Sequence, residues 1–415
     1  MAINYNSILV FEYYTASGIN NPSIISEAIA LIDSLLYDLS SFFDDNIKIN
    51  FLVSKNFKDI GSSYGFLENN PNKNKIIIDT SLEKWLEDNI SNFDSCMFIS
   101  AEENMNLYNL TKIIEDKGVK LYGSSSEATL MCSNKYSTFT QLKSIVNQPK
   151  TYKFTISEES QWEIAIKNLL MFFDNENNSE GNREDNREDS SEDNSSDNSF
   201  KLIVKPLYGV DCQDMLIISD EKDIAKISKI YPENSEILVQ EFIYGENLSV
   251  SLISDGKTAI PLTLNKQYLE INKENPQYLG GELPLNHPLK DEIFSIAKKV
   301  VELIEGIKGF VGVDLIVKNF DNRDNRDNFN NSHDDIYFLE INSRFTTPYV
   351  GISKISKFNI GKTIIDLIDN KISIDSIYDN IMADFYICND DNNNDDNNKY
   401  VKFRKNGNDL DIEIL

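Results

Sequence analysis

The chain is short of the residues from which much catalytic machinery is built. Its 415 residues include two histidines, His287 and His333, and His333 lies in a low-complexity tract. A Ser-His-Asp triad or a multi-histidine metal site is nearly excluded on inventory. The four cysteines, Cys96, Cys132, Cys212 and Cys388, are scattered. They fit neither a disulfide framework nor a zinc site and suit a reducing cytosol. No window holds 18 uninterrupted apolar residues, so no membrane-spanning helix is expected. The N-terminus MAINYNSILVFEYY lacks a basic region followed by an apolar core, so no signal peptide is expected either and a cytoplasmic location is. Neither a basic stripe nor a recognition helix is present, and a net charge of −27 argues against nucleic acid as a partner.

Much of that charge sits outside the foldable sequence. Tracts 174–199, 321–335 and 389–398 carry −8, −3 and −4, more than half the excess. Their composition cannot bury a core, so they read as solvated inserts in loops. Arginine is scarce as well. Of six, Arg183, Arg187, Arg323 and Arg326 lie in these tracts, which leaves Arg344 and Arg404 in a body that otherwise uses lysine.

The whole chain is 40% hydrophobic, and it is long enough for two or three domains. The first 120 residues alternate strand and helix patterns: SILVFEYY, a helix over 22–43, KINFLV, KIIID, SCMFIS, a helix over 104–117 and VKLYG. This predicts a parallel sheet with helices on its faces. A helical stretch, SSSEATLMCSNKYSTFTQLKSI, follows. The second half has strands with short connections, KLIVKP, DMLIIS, EILVQEFI, LSVSLIS and AIPLTL, then a helix over 291–306 and the strands FVGVDLIVK and IYFLEIN. It reads as antiparallel sheet. The expected division is 1–122, 123–370 and 371–415, with inserts at 174–199, 319–335 and 389–398.

Three stretches could carry chemistry. In FLEINSRFTTP, strict alternation puts Phe338, Glu340, Asn342 and Arg344 on one face. If 319–335 is a hairpin loop, symmetric pairing sets Asp314 opposite Glu340. Two opposed carboxylates repel, and a divalent cation reverses that penalty. In KLIVKPLYG, Lys205 ends a strand before a loop containing Gly209, where a lysine can lie along a phosphate chain. There is no GxxxxGK[ST] and no GxGxxG. In LVQEFIYGENLSV, Glu241 and Glu246 bracket a reversal at Gly245. They could bind ribose or an amine, or be surface charges.

Taken in order, GSSSEATLMCSNKYSTFTQL, IVKP, VQEFIYGENLSVSLISDG, GFVGVDLIV and FLEINSR resemble the ATP-grasp ligases over roughly 120–350. The resemblance implies an α/β chain: a parallel N-terminal domain before ATP-grasp lobes with antiparallel sheets. It implies that Lys135 and Lys205, with Gly209, hold ATP phosphates, and that Gln240, Glu241 and Glu246 meet adenine and ribose. It further implies that Asp314, Glu340 and Asn342 hold Mg2+ or Mn2+, and that Arg344 steadies the carboxyl or acyl-phosphate group. The phosphate-covering loop of the family is richer in glycine than Leu207–Asp214.

ILVFEYYTASG and QYLGGELPLNHPL resemble a narrower branch, the ligases that join tyramine to L-glutamate in methanofuran biosynthesis. Glu12, Thr15, Ser17 and Gly18 end the first strand, where α/β sheets commonly place ligand groups, and Tyr278, Gly280, Gly281 and His287 could border the substrate pocket; Gly280 and Gly281 are first of all turn formers. The implied reaction phosphorylates a carboxylate with ATP and joins it to an amine. The alternatives are other ligase partners, a phosphotransferase stopping at an acyl or carbamoyl phosphate, or a nucleotide-binding module without turnover. Sequence alone identifies neither the amine nor the oligomeric state.

Overall fold

The computed structural model describes residues 6–40, 47–61, 72–157, 159, 161–180, 201–209, 212–271, 276–318, 335–378 and 400–415. The expected insert at 389–398, and all but Asp335 of the one at 319–335, lie outside these residues. Of the tract at 174–199, the part to Glu180 continues a helix.

The N-terminal part contains β1 (Asn6–Glu12), α1 (Tyr13–Ser17), α2 (Ile25–Ser40), β2 (Ile47–Ser54), β3 (Lys73–Ile78), α3 (Leu82–Asn89), β4 (Ser95–Ile99), α4 (Asn106–Asp116) and β5 (Lys120–Leu121). Its five strands form a parallel sheet in the order β3-β2-β1-β4-β5. β1 is buried on both faces, as a covered parallel strand must be. Leu9 and Phe11 pack with Leu86 of α3 and Leu110 of α4, while Ile8 and Val10 pack with Leu31 and Leu35 of α2. The expected strand SILVFEYY stops at Glu12. Its carboxylate caps a short helix, accepting from the backbone N–H groups of Tyr14 and Thr15 at 2.9 Å. Gly18, at φ 74°, closes that helix in a left-handed turn.

α5 (Ser126–Ser133) and α6 (Lys135–Leu142) replace the single helix expected there. Asn134 leaves the helical conformation and caps α6, accepting from the N–H groups of Tyr136 and Ser137 at 3.1 and 3.0 Å. The break puts Lys135 at the first position of α6.

A four-stranded antiparallel sheet, order β6-β9-β7-β8, is built from β6 (Thr151–Thr155), β7 (Leu202–Pro206), β8 (Leu216–Ile218) and β9 (Glu236–Glu241). It packs against α7 (Gln161–Glu180), α8 (Glu221–Ile224) and α9 (Ile227–Ile230) through Trp162, Ile166, Ile224 and Ile227.

The chain then crosses to a seven-stranded antiparallel sheet. It contains β10 (Gly245–Asp255), β11 (Ala259–Glu270), β12 (Gln277–Leu283), β13 (Lys308–Lys318), β14 (Ile336–Asn342), β15 (Val401–Asn406) and β16 (Asp409–Ile414). The order is β14-β13-β10-β11-β12-β15-β16. Gly245 begins β10 where a Cβ would lie 2.2 Å from the Val317 carbonyl oxygen, so glycine is required by close approach. α10 (Lys290–Glu302) covers one face of the sheet, with Ile293, Ala297 and Val300 against Val250 and Val311. α11 (Pro348–Ile355) and α12 (Ile360–Ile368) join α2 in a core shared with the parallel sheet. Residues 401–414, expected to be part of an extension, complete the seven-stranded sheet.

Candidate active site

The pairing of β13 with β14 puts Asp314 directly opposite Glu340, and Gly312 opposite Asn342. The register then slips between Asp314 and Leu315, so that Leu315 faces Phe338. This bulge corrects the expected alternation. Phe338 is buried in the apolar core with Ile336 and Ile341, while Leu339 and Glu340 both line the cavity.

That cavity, about 210 Å³, opens between the two antiparallel sheets. Lys135, Lys205, Gly209, Asp314, Glu340, Asn342 and Arg344 line it, with Tyr278 and Gly281 at another part of the wall. Lys135 Nζ lies 2.6 Å from Glu340 Oε2 and donates to the Gly209 carbonyl at 3.0 Å. Asp314 accepts from Gln267 Nε2 at 3.0 Å and from Asn342 Nδ2 at 2.9 Å. Arg344 Nε donates to Glu102 Oε2 at 2.6 Å.

The charges are set by their surroundings. Loss of water raises the Asp314 carboxyl, and Glu340 opposite raises it further. Loss of water also opposes ionisation of Glu340, but Lys135 and Lys205 outweigh it and hold Glu340 below the usual carboxylate range. Burial pushes Lys205 down to about 8 although Glu340 works the other way. Burial opposes the charge on Lys135 as well, yet Glu340 holds that group above the usual lysine range. The result is a cationic wall beside a carboxylate pair that cannot both ionise freely.

That donor set fits a divalent cation. Two carboxylates and an amide oxygen are hard ligands, and a cation between Asp314 and Glu340 would relieve their repulsion. Among the described residues no three His, Cys, Asp or Glu side chains cluster as a metal site. Water and phosphate oxygens would therefore complete the coordination. Such a metal would neutralise charge on the phosphates beside it.

Other expected residues are elsewhere. Gln240 donates to Thr151 Oγ1 at 2.7 Å and Glu241 accepts from the Lys150 N–H at 3.3 Å; neither lines the cavity. Glu246 pairs with Lys266 at 3.0 Å and lies 3.5 Å from His287 Nε2, behind the wall. Glu12, Thr15, Ser17 and Gly18 belong to the end of β1 and to α1 and do not reach the cavity wall. Gly280 and Gly281 are not turn formers. Both lie in β12, where a Cβ would meet the Phe403 carbonyl oxygen at 2.1 Å and the Lys266 carbonyl oxygen at 2.3 Å. The glycine-poor loop after β7 reaches left-handed conformations with Cys212 and Asp214, at φ 61° and 56°.

Sequence reasoning passed over a polar row across the sheet. Asp314 opposes Ser249, and Ser249 opposes Asn265, which donates to it at 3.2 Å. The signal was available in LSVSLIS and PLTLN, where small polar residues alternate with buried apolar ones. Phe403 and Glu27 also line the cavity. Glu27 comes from α2, so the N-terminal part contributes to the wall.

Residues 132–348 match the model of the ATP-grasp domain. The chain belongs to the ATP-grasp family. It is 33% identical over 345 residues to the tyramine–L-glutamate ligase of Methanocaldococcus jannaschii, covering 83% of this chain and 84% of that protein. It is 32% identical to the corresponding ligase of Methanocaldococcus fervens, covering 83% and 89%. A solved ATP-grasp superfamily protein from Archaeoglobus fulgidus has the same fold, with a TM-score of 0.58 at 22% identity over 99% of this chain and 98% of that one. The ATP-grasp chain described here is thus an ATP-dependent ligase of the acid–amine class, in a family that works with ATP and divalent metal. No helix among the described residues is long and apolar enough to cross a membrane.

Proposed function

We propose that this ligase joins the γ-carboxylate of L-glutamate to the amine of tyramine, in the cytoplasm and in methanofuran biosynthesis. Lys135, Lys205 and the Gly209 loop hold the ATP phosphates. Asp314, Glu340 and Asn342 hold Mg2+ or Mn2+, which supplies charge neutralisation at those phosphates. A glutamate oxygen attacks the terminal phosphorus and ADP leaves. Arg344 steadies the resulting acyl phosphate with a planar fork of donors. The amine then attacks the acyl carbon, loses a proton, and phosphate departs. Positioning and electrostatics suffice for this chemistry, which is consistent with a histidine-poor site. Gln240, Glu241 and Glu246 flank the crossing from β9 to β10 and would support the base and ribose from behind.

The observation that carries the reading is the opposition of Asp314 and Glu340 in one cavity with Lys135, Lys205 and Arg344, in a chain one-third identical to tyramine–L-glutamate ligases. The test is to incubate the protein with Mg-ATP, L-glutamate and a panel of amines and to weigh the products. γ-Glutamyltyramine with stoichiometric ADP is expected. A faster product from another acid or amine would replace these substrates.

A further inference from the structure

Arg344 is held from two sides. Its Nη1 donates to the Phe345 carbonyl at 3.1 Å, within its own segment. Its Nε donates to Glu102, which belongs to the other half of the molecule. Glu102 lies just beyond β4, which ends at Ile99. β1 and β4 are adjacent parallel strands from which the sheet winds in both directions. The carboxyl ends of such a pair are where α/β sheets place functional groups.

Glu102 is ill suited to a purely stabilising role. It is 4% exposed, and its Oε1 is buried with no hydrogen-bond partner among the described residues. A buried ion pair roughly offsets its own desolvation even when every oxygen is satisfied, and an unpaired oxygen adds to the cost. The backbone after it is also strained. Asn104 and Met105 are consecutive non-glycine residues at φ 51° and 62°. The loop is nevertheless tied in place. The Met105 N–H donates to the Glu102 carbonyl at 3.1 Å, and the Tyr14 hydroxyl donates to Glu103 at 2.5 Å. Strain and an unsatisfied oxygen are thus maintained around one contact, the one that fixes a guanidinium at the cavity.

We propose that Glu102 is a positioning residue for ligation: it sets the plane of the Arg344 fork and makes the parallel sheet part of the ligation site. This rests on the reading that Arg344 steadies the acyl phosphate. With its Nε and Nη1 held by protein oxygens, the guanidinium cannot swing with its flexible stem. A neutral amide at position 102 would leave the charge on Arg344 and an acceptor oxygen before it, but would turn the charge-assisted hydrogen bond into a weaker neutral one and so loosen the orientation of the fork.

The experiment is a double-mutant cycle on Glu102→Gln and Arg344→Lys, using the acid–amine pair that turns over fastest in the panel. Glu102→Gln is expected to lower kcat by about tenfold or more while the KM for ATP changes by less than about twofold. The double variant should be no slower than Arg344→Lys alone, within about threefold, because both changes remove one oriented group. Glu102→Asp, which keeps the charge but shortens the reach, should also lose turnover, and it carries the test if the glutamine variant does not fold. Full turnover in Glu102→Gln beside a slow Arg344→Lys overturns the inference alone, as do losses that multiply in the double variant. Full turnover in Arg344→Lys overturns instead the reading of Arg344 on which the inference rests.

Discussion

Two withdrawn carboxylate sites in this molecule are built on opposite terms. Asp38, on α2, is 3% exposed and fully engaged. It accepts from the Tyr349 hydroxyl at 2.7 Å, the Ser353 hydroxyl at 2.8 Å and the Gly361 N–H at 3.1 Å. These donors belong to α11 and the start of α12, so Asp38 joins helices of the two halves. Asp314 and Glu340 instead face one another across a strand pair and depend on Lys135, Gln267 and Asn342 for relief. The first arrangement is complete as it stands. The second has an electrostatic conflict that a cation and phosphate oxygens would resolve. Buried charge alone therefore does not mark a functional site; conflict between withdrawn charges is the more telling sign.

The contrast is most severely tested at Glu340. Glu340→Gln should abolish ligation, by about three orders of magnitude or more, as expected when charge stabilisation at the phosphates fails. It should not leave stability untouched, because Lys135 loses its partner at 2.6 Å. Product formation at saturating Mg-ATP and a urea melt measure the two. Substantial turnover at limiting magnesium would remove Glu340 from the metal site.

Arg344→Lys comes next. Lysine keeps the charge but not the fork, and the loss expected is about 2–4 kcal/mol in the barrier, the scale of one oriented donor at a developing anion. It should fall on kcat, with nucleotide affinity by calorimetry nearly unchanged. A variant that no longer binds ATP would put Arg344 in the nucleotide site.

How much of this could be read beforehand varied with the kind of information needed. The opposition of Asp314 and Glu340 followed from the flanks of a hairpin loop, because pairing is a local matter of counting. The bulge at Leu339 did not, since an apolar residue there is compatible with either face. Tyr13 and Tyr14 read as strand on aromatic propensity, and the capping by Glu12 that turns them into helix shows only once the chain reverses at Gly18. Gly280 and Gly281 carry no side-chain signal that separates a turn from two closely packed strands. Gln240, Glu246 and His287 were placed by resemblance in order along the chain, which does not say which side of a sheet a residue occupies. Glu102 had a weak signal, an acid just after a parallel strand, and nothing local to link it with Arg344, 242 residues away.

Asp38 should break stability and spare chemistry. Asp38→Ala leaves buried donors without an acceptor, at a cost of about 2–4 kcal/mol, with kcat of the folded fraction unchanged. Its pH behaviour is distinctive. Burial raises the carboxyl from 3.8 to about 6 despite three donors. A carboxyl raised on folding contributes stability at acid pH that is lost as pH rises through about 6. The difference between wild type and Asp38→Asn should therefore change by about 2.5 kcal/mol between pH 4 and 7.5, favouring wild type at the acid end. A difference independent of pH would mean the carboxyl titrates normally.

The smallest effect on metal-free stability is expected at Asp314, and it separates the two kinds of site most cleanly. Without metal, Asp314 is the carboxylate whose charge is disfavoured, by loss of water and by Glu340. Asp314→Asn removes that charge and keeps the shape. Gln267 and Asn342 are amides, so either can turn its oxygen toward the new NH2 and keep the cluster bonded. Metal-free stability at pH 7.5 should therefore stay within about 1 kcal/mol of wild type or rise, where Asp38→Ala falls by several times as much. The denaturant midpoint in EDTA reads this directly. Added Mg-ATP should then raise the wild-type midpoint more than the variant's, since a ligand stabilises only the form that binds it. A large metal-free loss in Asp314→Asn would show that this carboxylate, like Asp38, is held for the fold, and equal shifts with Mg-ATP would show that it takes no part in holding the metal.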